Sequence, residues 1–156
     1  MTGATGVTGP TGPTGPTQNS MFAGNTVGTT INVALGGATN VPLPSNQNLD
    51  DFTVDGTNAI FTVPETGRYY ITYQINTTAA LGIGAGSRLL LNGATVIPSS
   101  VFSPLVTTSN FNNDVIVNLT AGDTISLQLF SSILLVATLL STAGSTGAAL
   151  SIIRLE

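Results

Sequence analysis

Polar and apolar residues alternate along much of this chain. Between Arg68 and Asn76, Tyr69, Ile71, Tyr73 and Ile75 share one face, while Tyr70, Thr72, Gln74 and Asn76 share the other. Val115, Val117 and Leu119 point one way, and Ile116 and Asn118 the other. Ile125, Leu127 and Leu129 alternate with Thr124, Ser126 and Gln128. A period of two predicts half-buried strands of antiparallel sheets. No segment combines a 3.6-residue period with helix caps. The turn signals agree. Asp55-Gly56 separates Phe52–Val54 from Ala59–Val63, and Asn92-Gly93 separates Leu89–Leu91 from Ala94–Ile97. Both dipeptides suit two-residue hairpin turns. Ala121-Gly-Asp123 links two further strands. About ten strands are expected, near 21–34, 40–44, 51–54, 58–63, 68–80, 87–91, 94–102, 110–119, 124–138 and 147–155. Short strands at this spacing predict an all-β sandwich or jelly roll.

The alternation fails at Ile133-Leu-Leu-Val-Ala137 and at Leu139-Leu140. A strand buried on both faces reads this way. Ile133, Leu134, Leu135 and Val136 are therefore candidate subunit-interface residues. The alternative is a strand covered by a loop of its own chain.

A different period governs residues 1–17. Gly3, Gly6, Gly9, Gly12 and Gly15 recur at every third position, giving the triplets GAT, GVT, GPT, GPT and GPT. A collagen triple helix requires this spacing, because only glycine fits at its axis. Such a helix needs three chains. Pro10, Pro13 and Pro16 pre-set the polyproline II backbone. Thr5, Thr8, Thr11, Thr14 and Thr17 would point outward, a row of hydroxyls suited to O-linked sugars. Five triplets span roughly 45 Å at about 3.1 Å per residue, which is short for an independent rod. The stub therefore reads as the end of a longer stalk. The alternative is a Gly/Pro/Thr linker with no triple helix. The expected organisation is a collagen-like stub over 1–17 and a trimerisation domain over 18–156.

Composition narrows the partners. Charged residues are 6% of the 156, and all three cations are arginines. Ordinary globular domains carry roughly 25% charged residues. Little polar material is present to coat a monomer, which favours burying a face in an oligomer. The net charge of −4 argues against nucleic-acid binding. The longest apolar run falls far short of the ~20 residues of a membrane-spanning helix.

The chain offers little chemistry. It has no histidine, lysine or cysteine. That excludes a Ser-His-Asp triad, an imidazole or thiolate metal site, a Schiff base and a P-loop lysine. Gly82-Ile-Gly84-Ala-Gly86 lacks the spacing of a phosphate loop and reads as a strand connection. The seven carboxylates show neither EF-hand spacing nor a pattern favouring glycoside hydrolysis. Asp55 and Asp123 fall in turns, where Asp commonly bonds nearby backbone. Asp50 and Asp51 would face opposite sides of a strand. Tyr69 and Tyr73 read as core residues rather than a binding patch. No enzyme activity and no cofactor are expected.

Phe61-Thr-Val-Pro-Glu-Thr-Gly67-Arg-Tyr69-Tyr70-Ile-Thr-Tyr73 resembles the signature of the C1q/tumour-necrosis-factor-like jelly roll. Leu119-Thr-Ala-Gly-Asp-Thr-Ile-Ser-Leu127 is similar to a later hairpin of that family, and Gly147–Leu155 to its closing strand. A GPT-rich collagen stub before such a head resembles the BclA-type collagen-like glycoproteins of the bacterial spore exosporium. The resemblance implies a ten-stranded jelly-roll sandwich that forms a homotrimer, nucleates a glycosylated stalk and caps a filament on the spore surface. It carries over no catalytic residues. Two other readings stay open: an adhesin or recognition module for a host protein or glycan, and the tip of a phage or cell-surface fibre.

Overall fold

The computed structural model describes residues 1–12 and 18–156. Residues 1–12 form neither helix nor strand, and Thr5, Thr8 and Thr11 are exposed. Thr14 and Thr17 lie outside the described residues.

Thirteen strands follow: β1 (Ser20–Asn25), β2 (Thr30–Val33), β3 (Ala38–Asn40), β4 (Ser45–Asn48), β5 (Thr53–Val54), β6 (Ile60–Thr62), β7 (Gly67–Leu81), β8 (Ala85–Leu91), β9 (Thr95–Val96), β10 (Thr108–Leu119), β11 (Thr124–Ser131), β12 (Leu135–Thr138) and β13 (Ala148–Arg154). The one helical element among the described residues is a single 3₁₀ turn, Thr142–Gly144. Two sheets form the sandwich. One has the order β10-β7-β13-β1-β4; the other runs β5-β6-β11-β8-β9, with β3 also paired to β11. A third sheet pairs β12 with β2.

The alternation seen in the sequence builds the core. Tyr69, Ile71, Tyr73 and Ile75 of β7 are buried against Leu89 of β8 and Ile125, Leu127 and Leu129 of β11. Phe52 meets Tyr69 edge-to-face at 6.2 Å, and Phe102 meets Phe111 at 6.0 Å. The buried hydroxyls find acceptors. Tyr69 Oη donates to the Glu65 carbonyl at 2.6 Å, and Tyr73 Oη donates to the Ser100 carbonyl at 2.7 Å. Burial pushes the Tyr73 phenol up to about 12, so it stays a neutral donor at ordinary pH.

Several expected elements differ. The strand expected over 21–34 is broken after Asn25, whose side chain accepts from Val27 N–H and donates to Thr29 Oγ1 and the Pro42 carbonyl. These bonds stabilise a turn that separates β1 from β2. The segment expected over 40–44 becomes the passage between β3 and β4, with Val41 and Leu43 buried. Asn92-Gly93 forms its tight turn, with φ of 53° and 69°. Asp55-Gly56 does not. The Asp55 carboxylate instead organises a longer loop, with Asn58 taking the left-handed conformation at φ 57°. Asp50 and Asp51 lie in a turn rather than on a strand, and Asp50 Oδ2 accepts from Ser20 N–H and Oγ.

The largest correction falls on the strand expected over 124–138. It ends at Ser131 and resumes at Leu135. Ile133 and Leu134 occupy the connection and are exposed, while Leu135 and Ala137 enter the chain's own core and Val136 points outward. The apolar run is therefore a turn followed by a short half-buried strand, and Leu135 needs no partner subunit to be covered.

Candidate subunit interface

The five-stranded sheet has one face in the core and one in the open. On the open face, neighbouring strands in register place Ile116 beside Tyr70, Tyr70 beside Ile153, and Ile153 beside Ser20. One row further along lie Asp114, Thr72, Ser151 and Phe22. Phe22, Ile116 and Ile153 are 38, 54 and 39% exposed. Ile116, Tyr70 and Ile153 thus form an apolar row across three paired strands. Beyond it, Ala149 carries too little side chain to fill the surface. The result is a hollow of about 220 Å³ bounded by Phe22, Thr72, Gln74, Asn112 and Ser151. A bulky side chain from a neighbouring molecule would fit such a hollow.

The row lies at the end of the sandwich where the chain arrives from the glycine repeat. Asn19 is buried there. Its Nδ2 donates to Glu65 Oε1 at 2.7 Å, and its carbonyl accepts from Arg154 N–H at 2.9 Å. Arg154 Nη1 stands 3.1 Å from Glu65 Oε2, and Nη2 donates to the Thr66 carbonyl at 3.0 Å. The half-buried ion pair thus fixes the two residues that bracket the chain's entry. Gly67 is required beside it. A Cβ there would lie 2.2 Å from the Glu156 carbonyl oxygen and 2.7 Å from Arg154 Nε.

Leu35, Ile83, Ile133 and Leu134 are exposed on the loops β2–β3, β7–β8 and β11–β12. The β7–β8 loop lies at the far end of β7 from Gly67, some 45 Å away at about 3.3 Å per residue. The Gly82 backbone and the Ile133 side chain lie close together there. Ile133 and Leu134 therefore belong to the pole remote from the chain's entry, and the long sheet face carries a second, separate apolar surface. That face was not singled out in the sequence. Its signal was present as three consecutive apolar residues, Val115–Val117, and the pair Ile152-Ile153, where alternation lapses within strands. Among the described residues, no cluster of three or more acidic side chains is placed to hold a metal ion. No helix among them is long and apolar enough to cross a membrane.

The two packed antiparallel sheets and their strand order define a TNF-like jelly roll. The structure resembles that of murine APRIL, with a TM-score of 0.62 and 16% identity over 89% of this chain and 100% of that one. It also resembles the Eiger TNF of S. frugiperda (0.58, 16%, 88% and 92%) and rabbit GITRL (0.53, 15%, 88% and 94%). At these identities the likeness is one of fold. No protein of curated function matches the chain by sequence. The model of the BclA C-terminal domain matches residues 21–156, and the chain belongs to that family. Membership marks it as a collagen-like structural protein of the spore exosporium.

Proposed function

We propose that this chain forms the non-catalytic, trimeric tip of a filament on the spore surface. The jelly roll associates through the open face of the five-stranded sheet and holds three glycine-repeat segments in register, so that they wind into a stalk. The observation that carries the reading is the row Ile116–Tyr70–Ile153 with Phe22 beside it. It is apolar, built on paired strands and adjacent to Asn19, so a contact there would bring three chain entries together. The glycine period supports the same reading. A Cβ added at Gly3, Gly6, Gly9 or Gly12 would meet nothing within 4 Å in a single chain. Nothing within one subunit demands glycine at these positions, whereas the axis of a triple helix does. The outward threonines Thr5, Thr8, Thr11, Thr14 and Thr17 would carry O-linked sugar. Ile133, Leu134 and Val136 would add a smaller contact between subunits at the far pole.

Sedimentation equilibrium tests this directly. The expected mass is three times the 15.8 kDa of one chain, retained when residues 1–17 are deleted. Ile153→Asp should reduce it to the mass of one chain, because three unpaired carboxylates cannot be buried in an apolar contact. A wild-type chain that sediments as a monomer would remove the basis of the proposal.

A further inference from the structure

The other sheet carries a site away from the face proposed to join the subunits. On the outward face of β8 and β11, Arg88 lies opposite Gln128 and Gly86 opposite Phe130. The Phe130 ring lies flat across Gly86, where a Cβ would come within 2.3 Å of its Cζ. The Arg88 guanidinium stacks on that ring, 5.2 Å from its centroid. Arg88 Nε donates to Gln128 Oε1 at 3.0 Å, and Gln128 Nε2 donates to Asn40 Oδ1 at 2.8 Å. The side chain is thus held on one face and along one edge. Its two terminal nitrogens have no hydrogen-bond acceptor among the described residues.

The charge pattern sets this arginine apart. Arg68 stands 3.4 Å from Glu156, and Arg154 stands 3.1 Å from Glu65. Arg88 is the one cation side chain among the described residues that has no carboxylate partner. It opens into a hollow of about 450 Å³ lined by Phe130, Ser103, Ser132 and the glycines Gly36, Gly37 and Gly84. No acidic side chain lines it. In a chain of net charge −4, a pre-oriented and unneutralised guanidinium fork is a receptor for an anion.

We infer that this hollow binds a carboxylate carried on a hydroxyl-rich scaffold, as in an acidic sugar. The single positive charge matches a monoanion, and no second cation is present to balance a phosphate dianion. The free Nη pair fits the two oxygens of a planar carboxylate. Ser103 and Ser132 line the hollow and offer hydroxyls to neighbouring sugar hydroxyls. The site faces away from the five-stranded sheet and remains open whether or not subunits associate through that sheet. It goes beyond the structural role proposed above and does not depend on it.

Three arginines give three Nε–H resonances in a ¹⁵N spectrum of the full chain, so the site can be watched alone. The probes are glucuronate, glucose and inorganic phosphate at constant ionic strength. The resonance lost in Arg88→Gln should move saturably with glucuronate and stay fixed with glucose. Phosphate should bind about tenfold more weakly or worse. Arg88→Lys keeps the charge but loses the fork and the stack, and should weaken glucuronate binding by about tenfold or more. Three results would each overturn the assignment. They are no saturable shift with glucuronate, equal binding of phosphate, and equal movement of all three arginine signals, the mark of a general ion effect. Glucuronate binding that survives in a folded Arg88→Gln protein would place the ligand elsewhere.

Discussion

Asp55 holds the loop after β5 with both carboxylate oxygens. Oδ2 accepts from the Thr57 hydroxyl at 2.6 Å, and Oδ1 accepts from the N–H groups of Ala59 and Ile60 at 3.1 Å each. The Thr57 bond is the largest influence holding the carboxyl below its ordinary 3.8; slight desolvation opposes it, and the backbone donors assist. Its folded pKa is depressed, so the unfolded chain binds more protons as the solution is acidified. The stabilisation is therefore present in full above the unfolded value of 3.8 and is lost as pH falls through the lower folded value. Asp55→Asn should be less stable than wild type at neutral pH, by roughly 1 kcal/mol if the loss resembles that of a helix cap, and should unfold at a lower temperature. The gap should close in acid. Thermal unfolding of both proteins across pH would show it, and a gap independent of pH would mean that the carboxylate charge is not what the loop uses. Asp123 plays a related part. Its Oδ2 accepts from Thr120 N–H at 2.8 Å, and its Oδ1 accepts from Asn92 Nδ2 at 2.9 Å, tying the β10–β11 turn to the β8–β9 turn.

At the scale of elements, adjacent residues of β12 have opposite surroundings. Leu135 is 7% exposed and Val136 is 63% exposed. Leu135→Asp places a charge in the core and should cost about 3 kcal/mol or more. Val136→Asp, made in an Ile153→Asp background, should leave the unfolding free energy from urea titration within about 0.5 kcal/mol of the Ile153→Asp parent. Equal effects of the two substitutions would contradict the register of β12 on β2. The same strand shows where sequence patterning stops. In β7, alternation named the core residues Tyr69, Ile71, Tyr73 and Ile75 because one face of that strand is wet or lightly covered. In the Ile133–Val136 run, hydropathy cannot distinguish an exposed aliphatic turn from a doubly buried strand, since both are continuous apolar stretches. β11 shows the converse. Ser126 and Gln128 look like solvent-facing positions, yet both are buried. Gln128 is satisfied by Arg88 and Asn40. Those partners lie 40 and 88 residues away, and no local pattern announces them. The open face of the five-stranded sheet was legible only as lapses of alternation in β10 and β13. The Arg88 hollow was not legible, because it depends on Phe130 lying over Gly86 across two strands.

At the scale of the whole molecule, head and stalk solve each other's problem. A triple helix must bring three chains into register before any glycine reaches its axis, and that first closure is entropically costly. A head that associates through the sheet face would hold three entries at an effective concentration of order millimolar, about a thousandfold above a micromolar solution of free chains. Asn19 ties the chain's entry to the jelly roll through its bonds to Glu65 and Arg154. The prediction concerns kinetics. With additional GPT triplets added before the chain, the wild-type head should let the collagen circular-dichroism signal recover after heating at a rate independent of chain concentration. In the Ile153→Asp protein, recovery should become slow and depend steeply on concentration, because three separate chains must then meet. Glu65→Gln should lie between these cases, with the trimer intact but its entry points loosened. Recovery that is equally fast in wild type and Ile153→Asp would show that the stalk nucleates itself, and would leave the head as a cap alone.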